Sequence, residues 1–175
     1  MIIHRFKNTI KGIVINRPSK TNKSPYLADV LINNKIYMAH SPSLGLSGLI
    51  KPGSIVYLES NPNPNNVSQY RIVTVKIKEF ETNNKFIYVG ANPVLVNQLF
   101  LNCLKLKLIK FNNIVKIKQE VNIFGSRIDF EIIDKKNQKY LVECKYAPTV
   151  DYHPDHKPIK NVSVGNKTNY KRAAI

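Results

Sequence analysis

The chain has 175 residues, 43% of them hydrophobic, which suffices for one ordinary domain with a real core or for two small ones. Its 27 Lys+Arg stand against 11 Asp+Glu, and the resulting +16 favours polyanionic partners and long-range steering. Plentiful apolar and β-branched residues argue against disorder, no apolar run approaches the ~20 residues of a membrane span, and two cysteines (Cys103 and Cys144) are too few for a disulfide framework.

Residues 1–7 lack the apolar block of a signal peptide, so a soluble, cytoplasmic protein with no membrane partner is expected. The 22 Lys, 21 Asn and 21 Ile all have A/T-rich codons, so an AT-rich genome can inflate the basic count. The scarcity of acids is the more informative half. Residues 1–119 carry 17 bases and 4 acids, whereas residues 120–175 carry 10 bases and 7 acids. A basic body is thus followed by a stretch in which the carboxylates gather.

In chain order, residues 11–16, 26–33, 35–40, 54–59 and 70–80 are short runs rich in Val, Ile and Tyr, and read as strands. Arg17-Pro18-Ser19, Asn33-Asn34, Lys51-Pro52-Gly53 and the Asn/Pro run at 61–66 supply the turns. In the last strand Val73, Val75 and Ile77 face one way while Thr74, Lys76 and Lys78 face the other. Five short strands predict a small β-barrel or sandwich over residues 1–82, an OB-fold barrel being one member of that set. The polar run 81–85 is the natural boundary. Asn92-Pro93 offers an N-cap and a first-turn proline for a helix running to about Lys105. Extended segments are expected at 106–111, 114–123, 127–133 and 139–145, followed by a proline-containing tail with little periodicity. An α+β chain results.

The chemistry concentrates in Arg127-Ile-Asp129-Phe-Glu131 and Glu143-Cys-Lys145. Strand alternation points Ile128, Phe130 and Ile132 to a core and Asp129 and Glu131 away from it, and puts Glu143 and Lys145 on one face. A hairpin centred on Lys136 sets Asp129 opposite Glu143. Two facing carboxylates repel, which raises one pKa unless a hard cation such as Mg2+ sits between them. Lys145 beside that cation would orient a water, the D-x(n)-(E/D)-x-K pattern of metal-dependent phosphodiesterases. Asp129 and Glu143 are the expected metal ligands; a solvated strand face is the plainer alternative. Cys144 reads as packing and His40 as a structural hydrogen bond.

Several segments resemble the sugar fermentation stimulation protein family of bacteria and archaea. They are Tyr26-Leu-Ala-Asp-Val, Ala39-His40-Ser-Pro42, Gly48-Leu-Ile-Lys-Pro52-Gly53, Tyr88-Val-Gly90-Ala-Asn92-Pro-Val-Leu-Val-Asn97-Gln-Leu99, Gly125-Ser-Arg-Ile-Asp129-Phe, Glu143-Cys-Lys145 and Lys171-Arg-Ala-Ala-Ile175. The similarity runs in order over about residues 10–175. It implies an N-terminal OB-fold domain (1–82), a PD-(D/E)XK nuclease-like domain (83–175) and DNA binding, with a regulatory role for bacterial members. The nuclease-type positions it implies are Asp129, Glu143 and Lys145, with Glu120 as an accessory acid. The chain departs from the family at Leu46-Ser47 and at Gln98. It also stops at Ile175, before the family's charged helix and later elements, so the resemblance implies a C-terminally truncated domain. Residues 146–169 look like an insertion carrying Tyr146, Asp151, Tyr152, His153, Asp155 and His156.

Two functional readings stay open. One is a DNA-binding protein with a Mg2+-dependent endonuclease site; the other is a non-catalytic nucleic-acid-binding or regulatory module whose nuclease-like part is degenerate. In either, a barrel binder uses lysines for the backbone and tyrosines for stacking, with Arg17, Lys20, Lys23, Tyr26, Tyr37, Lys51 and Arg127 as candidates. No small-molecule substrate is expected, and the oligomeric state stays open.

Overall fold

The structure is a computed structural model that describes residues 1–44, 46, 48–61, 63, 65–78, 86–111, 113–146, 162–163 and 169–170. The expected boundary at 81–85 and the candidate ligands Asp151, Tyr152, His153, Asp155 and His156 lie outside the described residues.

One compact unit spans Phe6–Asn92. Its strands are β1 (Ile10–Asn16), β2 (Leu27–Ile32), β3 (Lys35–His40), β4 (Ile55–Ser60), β5 (Tyr70–Lys78) and β6 (Phe86–Gly90). The first five close into a barrel: β3-β2-β1-β4-β5 pair antiparallel in that order, and β3 returns to β5 through a parallel pairing of Ala39 with Tyr70 and His40 with Arg71. The expected barrel is therefore present. β2 and β3 are joined by Asn33-Asn34, both left-handed (φ 47° and 63°), between the paired Ile32 and Lys35. That is the two-residue turn whose twist suits a hairpin, and Asn tolerates it better than most residues.

Val14, Val30, Val56, Leu58, Ile72 and Val75 fill the barrel, each fully buried. Gly12 lies among them because there is no room for more: a Cβ there would come within 2.5 Å of Val30 Cγ1. Val75 and Ile77 face the barrel core as expected, but the third inward residue is Ile72, and Val73, although buried, is not part of that core. The register slips between Tyr57 and Leu58 of the partner strand, which brings Leu58 opposite Ile72. Sequence reading did not identify β6. It pairs antiparallel with β5 from Thr74↔Gly90 to Lys78↔Phe86 and extends the sheet beyond residue 82.

The second unit comprises Met1–Arg5 and Pro93–Tyr146. It holds α1 (Leu95–Lys105), β7 (Ile114–Ile123), β8 (Ser126–Asp134) and β9 (Lys139–Val142), the strands forming an antiparallel sheet in the order β7-β8-β9. Asn92 is not the N-cap of α1. Val94 holds that position, without a side-chain cap.

Residues 106–111 are not a strand as expected, because the C-terminal cap of α1 takes up residues 106–108. Lys107 N–H bonds Leu104 C=O, Leu108 N–H bonds Cys103 C=O, and Lys107 is left-handed (φ 56°), which together make a Schellman cap with lysine where glycine is usual. β7 and β8 turn at Phe124-Gly125, both left-handed, and the Phe124 side chain is fully exposed.

The core of this unit is small. Phe130 and Ile132 are fully buried, and the Phe100 ring of α1 lies 4.9 Å from that of Phe130. Glu131 was expected to point outward with Asp129, but it is buried and ion-paired with Lys118, its cross-strand partner on β7. The pair removes the cost of an isolated buried charge.

Among the remaining described residues, β10 (Val162–Ser163) pairs antiparallel with β11 (Asn169–Tyr170). Among the described residues no helix is long and apolar enough to cross a membrane.

Candidate functional site

The β8–β9 hairpin is held at its turn by Asp134. Its Oδ1 accepts the backbone N–H groups of Lys136 (2.8 Å) and Gln138 (2.9 Å), and its Oδ2 accepts the Tyr140 hydroxyl (3.2 Å). Asn137 takes the left-handed position (φ 60°). The ladder then runs Ile133↔Lys139, Ile132↔Tyr140, Glu131↔Leu141 and Phe130↔Val142. Every pair is centred on Lys136, as expected, and the ladder ends at Phe130↔Val142, one step short of Asp129 and Glu143.

Beyond the last ladder pair the connection passes to a side chain. Cys144 N–H donates to Asp129 Oδ2 at 2.7 Å, while Asn97 Nδ2, from α1, donates to Oδ1 at 3.0 Å. The Cys144 amide is the main reason that the Asp129 carboxyl sits below its ordinary value. Partial burial pushes the other way, and Asn97, Lys145 and Arg127 add to the lowering. The expected repulsion between facing carboxylates does not govern this site, because hydrogen-bond donors and cations surround Asp129.

Glu143 is exposed, and its carboxylate accepts Lys145 Nζ at 2.6 Å. This bond, with the charges of Glu143 and Asp129, holds the Lys145 ammonium above its ordinary pKa. Glu120 does not join them. It lies on β7 with φ 52° and pairs instead with Arg127 at 3.1 Å, both side chains largely in solvent, where such a pair contributes little. Among the described residues, no three His, Cys, Asp or Glu side chains gather closely enough to hold a metal ion. Of the expected ligands, that leaves the two carboxylates Asp129 and Glu143, each already hydrogen-bonded or ion-paired. That is compatible with Mg2+, which is commonly held by one or two carboxylates and takes waters or phosphate oxygens for the rest.

On the barrel, Arg17 is half-buried. Its guanidinium donates to the carbonyls of Pro25 (3.3 Å), Ser43 (2.9 Å) and Ile50 (3.3 Å), and burial lowers its pKa. It acts as a clasp between the β1–β2 and β3–β4 loops, with those donors committed to carbonyls rather than presented to phosphate. The two loops carry Lys20, Lys23 and Lys51, all exposed. The Lys20 backbone N–H and the Asn16 side chain bond Asp29 Oδ2. Burial alone would raise the Asp29 pKa, but these donors, Ser19 and the Lys20 charge bring it below its ordinary value.

Tyr26 is exposed and tilted against His40, with ring centroids 6.5 Å apart. Tyr37 is half-buried, edge-on to Tyr70 at 5.2 Å and packed on the core. Sequence reading missed Asn97, which orients Asp129. It also missed the outward face of β4–β6, with Tyr57, Lys76, Phe86 and Tyr88. The alternation of Phe86-Ile-Tyr88-Val was the available signal.

No family model matches the chain. The chain is 32% identical over 142 residues to a sugar fermentation stimulation protein homolog of Pelagibacter ubique, covering 79% of this chain and 56% of that protein. It is 30% identical over 144 residues to the Clostridium novyi homolog, covering 81% and 57%. The chain thus spans a little over half the length of these curated relatives. Its fold is similar to the solved structure of Pyrococcus furiosus SfsA in complex with Ca2+, with a TM-score of 0.65 and 19% identity over 91% of this chain and 65% of that one.

Proposed function

Since the chain belongs to the sugar fermentation stimulation protein family, we propose that it is a DNA-binding protein whose second unit holds a divalent cation on Asp129 and Glu143 and acts as a metal-dependent phosphodiesterase. DNA binding is supported by the net charge of +16 on a chain whose first unit is a closed barrel. The order β1-β2-β3-β5-β4, closed on β1, supports reading that barrel as OB-type. One helix followed by a three-stranded antiparallel sheet supports a PD-(D/E)XK reading of the second unit.

The observation that carries the cation site is the hairpin register centred on Lys136, with the amide between Glu143 and Lys145 bonded to Asp129. A hard cation is also the species named with the Pyrococcus furiosus structure. A cation at this position neutralises phosphate charge and acidifies a bound water. The chain's own residues do the positioning. Asn97 and the Cys144 amide fix the Asp129 carboxylate, the exposed Glu143 is able to turn toward the same ion, and Lys145 is kept charged to meet a phosphate oxygen. Arg127 completes the basic surroundings of Asp129.

The non-catalytic reading has its own support. Both Asp129 oxygens already have donors, and Glu143 already has Lys145.

Thermal melts of the wild type and Asp129→Asn, each in EDTA and in Mn2+, separate the two readings. At a hundred times Kd a native-state ligand stabilises by about 2.7 kcal/mol. Mn2+ raises the wild-type melting temperature and leaves Asp129→Asn unmoved, and nicking of supercoiled plasmid follows the same pattern. An equal response of both proteins removes the site from Asp129 and leaves the binding module.

A further inference from the structure

The barrel strands β4, β5 and β6 bury one face and leave the other partly exposed, most of all along β6. Val56, Leu58, Val75, Ile77 and Val89 pack inward. On the opposite face, Lys76 stands directly across from Tyr88, and Lys11 of β1 across from Tyr57. The rings of Tyr57 and Tyr88 meet edge-on with centroids 5.5 Å apart, and Lys76 Nζ lies 3.9 Å over the Phe86 ring. Phe86 is 51% and Tyr88 58% exposed. Glu59 is the one acid in these three strands, and it is engaged by the Lys7 backbone N–H.

Large rings left in water on a well-packed barrel are a cost unless something covers them. The charge on this face selects an anion, and the rings select flat, apolar surfaces. We infer that the outer face of β4–β6 is a stacking platform for single-stranded nucleic acid, with bases on Tyr88 and Phe86 and phosphates beside Lys11 and Lys76; this rests on the nucleic-acid-binding reading above.

Stacking on aromatic side chains with lysines along the backbone path is the sequence-tolerant mode of single-strand binding. Phe86 and Tyr88 are two residues apart on one strand, hence about 7 Å apart, with both side chains on the same face. A duplex keeps its base faces stacked inside and has none to offer these rings. The platform therefore prefers single strands, whereas the loop lysines Lys20, Lys23 and Lys51 serve any phosphate backbone.

The test uses the full chain in fluorescence anisotropy with a labelled oligo-dT single strand and a duplex of equal length, at low salt. Tyr88→Ala and Phe86→Ala each weaken single-strand binding about fivefold or more. Duplex binding and the melting temperature stay as in the wild type. Tyr88→Phe keeps full affinity, since the ring and not the hydroxyl does the stacking. The salt slope of the alanine variants is unchanged, since no phosphate contact is lost.

Wild-type affinity for the single strand in both alanine variants overturns the platform, as does an equal loss on both oligonucleotides. Sedimentation showing that the wild type is a dimer and the alanine variants are monomers makes the face a contact for a second copy and also overturns it. A wild type that binds neither oligonucleotide overturns the nucleic-acid reading itself, a distinct result.

Discussion

In the barrel unit Val14, Val30, Val56, Leu58, Ile72 and Val75 are fully buried, whereas among the described residues of the second unit only Phe130 and Ile132 are. The second unit also leaves Val115, Ile117, Phe124 and Leu141 exposed along its sheet. The two units even use the same kind of hairpin turn differently. Asn33-Asn34 suits left-handed backbone with short polar side chains, while Phe124-Gly125 holds an aromatic ring in solvent. The barrel is thus organised by hydrophobic burial. The second unit relies more on placed polar contacts: Asp134 at its turn, Lys118 on Glu131, and Asn97 with the Cys144 amide on Asp129. A scaffold and a site built on different interactions respond differently to mutation.

The largest effect is expected at Phe130, because the small core of the second unit depends on it. Phe130→Ala costs about 3–5 kcal/mol, as for a large buried ring. Hydrogen exchange should show β7–β9 losing protection while the barrel strands keep theirs. Equal loss in both units would break the comparison.

A smaller effect follows from Asp129. Its carboxyl is held below the ordinary value of 3.8, chiefly by the Cys144 amide. A depressed carboxylate pKa contributes stability that is present above 3.8 and lost as pH falls through the folded value. Asp129→Asn, without metal, is therefore less stable than the wild type at neutral pH by about 1 kcal/mol, allowing for solvent screening. The gap closes in acid below the ordinary carboxylate value. Melts of both proteins across that range check it, and a variant more stable than the wild type at pH 7 would mean that carboxylate repulsion governs after all.

The smallest effect is a gain. Lys107 occupies the left-handed cap position of α1. Lys107→Gly relieves that conformation and raises stability by up to about 1 kcal/mol, read as a higher denaturation midpoint in urea.

The barrel was legible because its strands are short, rich in Val, Ile and Tyr, and punctuated by Asn, Pro and Gly. The Lys136-centred hairpin was legible because Asp134 and Asn137 are turn formers and the register is symmetric arithmetic. What escaped were long-range choices. β6 is recognised only through its pairing with β5. Arg17 reads as a phosphate contact until its three carbonyl partners, up to 33 positions away, are known. Glu131 looks solvent-facing until Lys118 is placed across from it. Asp129 and Glu143 look like a repelling pair until Asn97, 32 positions from Asp129, and the Cys144 amide are seen on Asp129. In each case the partner is distant in sequence, so local periodicity carries no trace of it.

The proposed function requires that this basic chain bind a nucleic-acid backbone through its lysines. A titration of duplex DNA binding against salt tests it most directly. Each neutralised phosphate contributes a log–log slope of roughly −0.9, so about six contacts lower the affinity by about three decades or more between about 50 and 200 mM salt. That fall is the predicted result; an affinity unchanged across the range would contradict the claim.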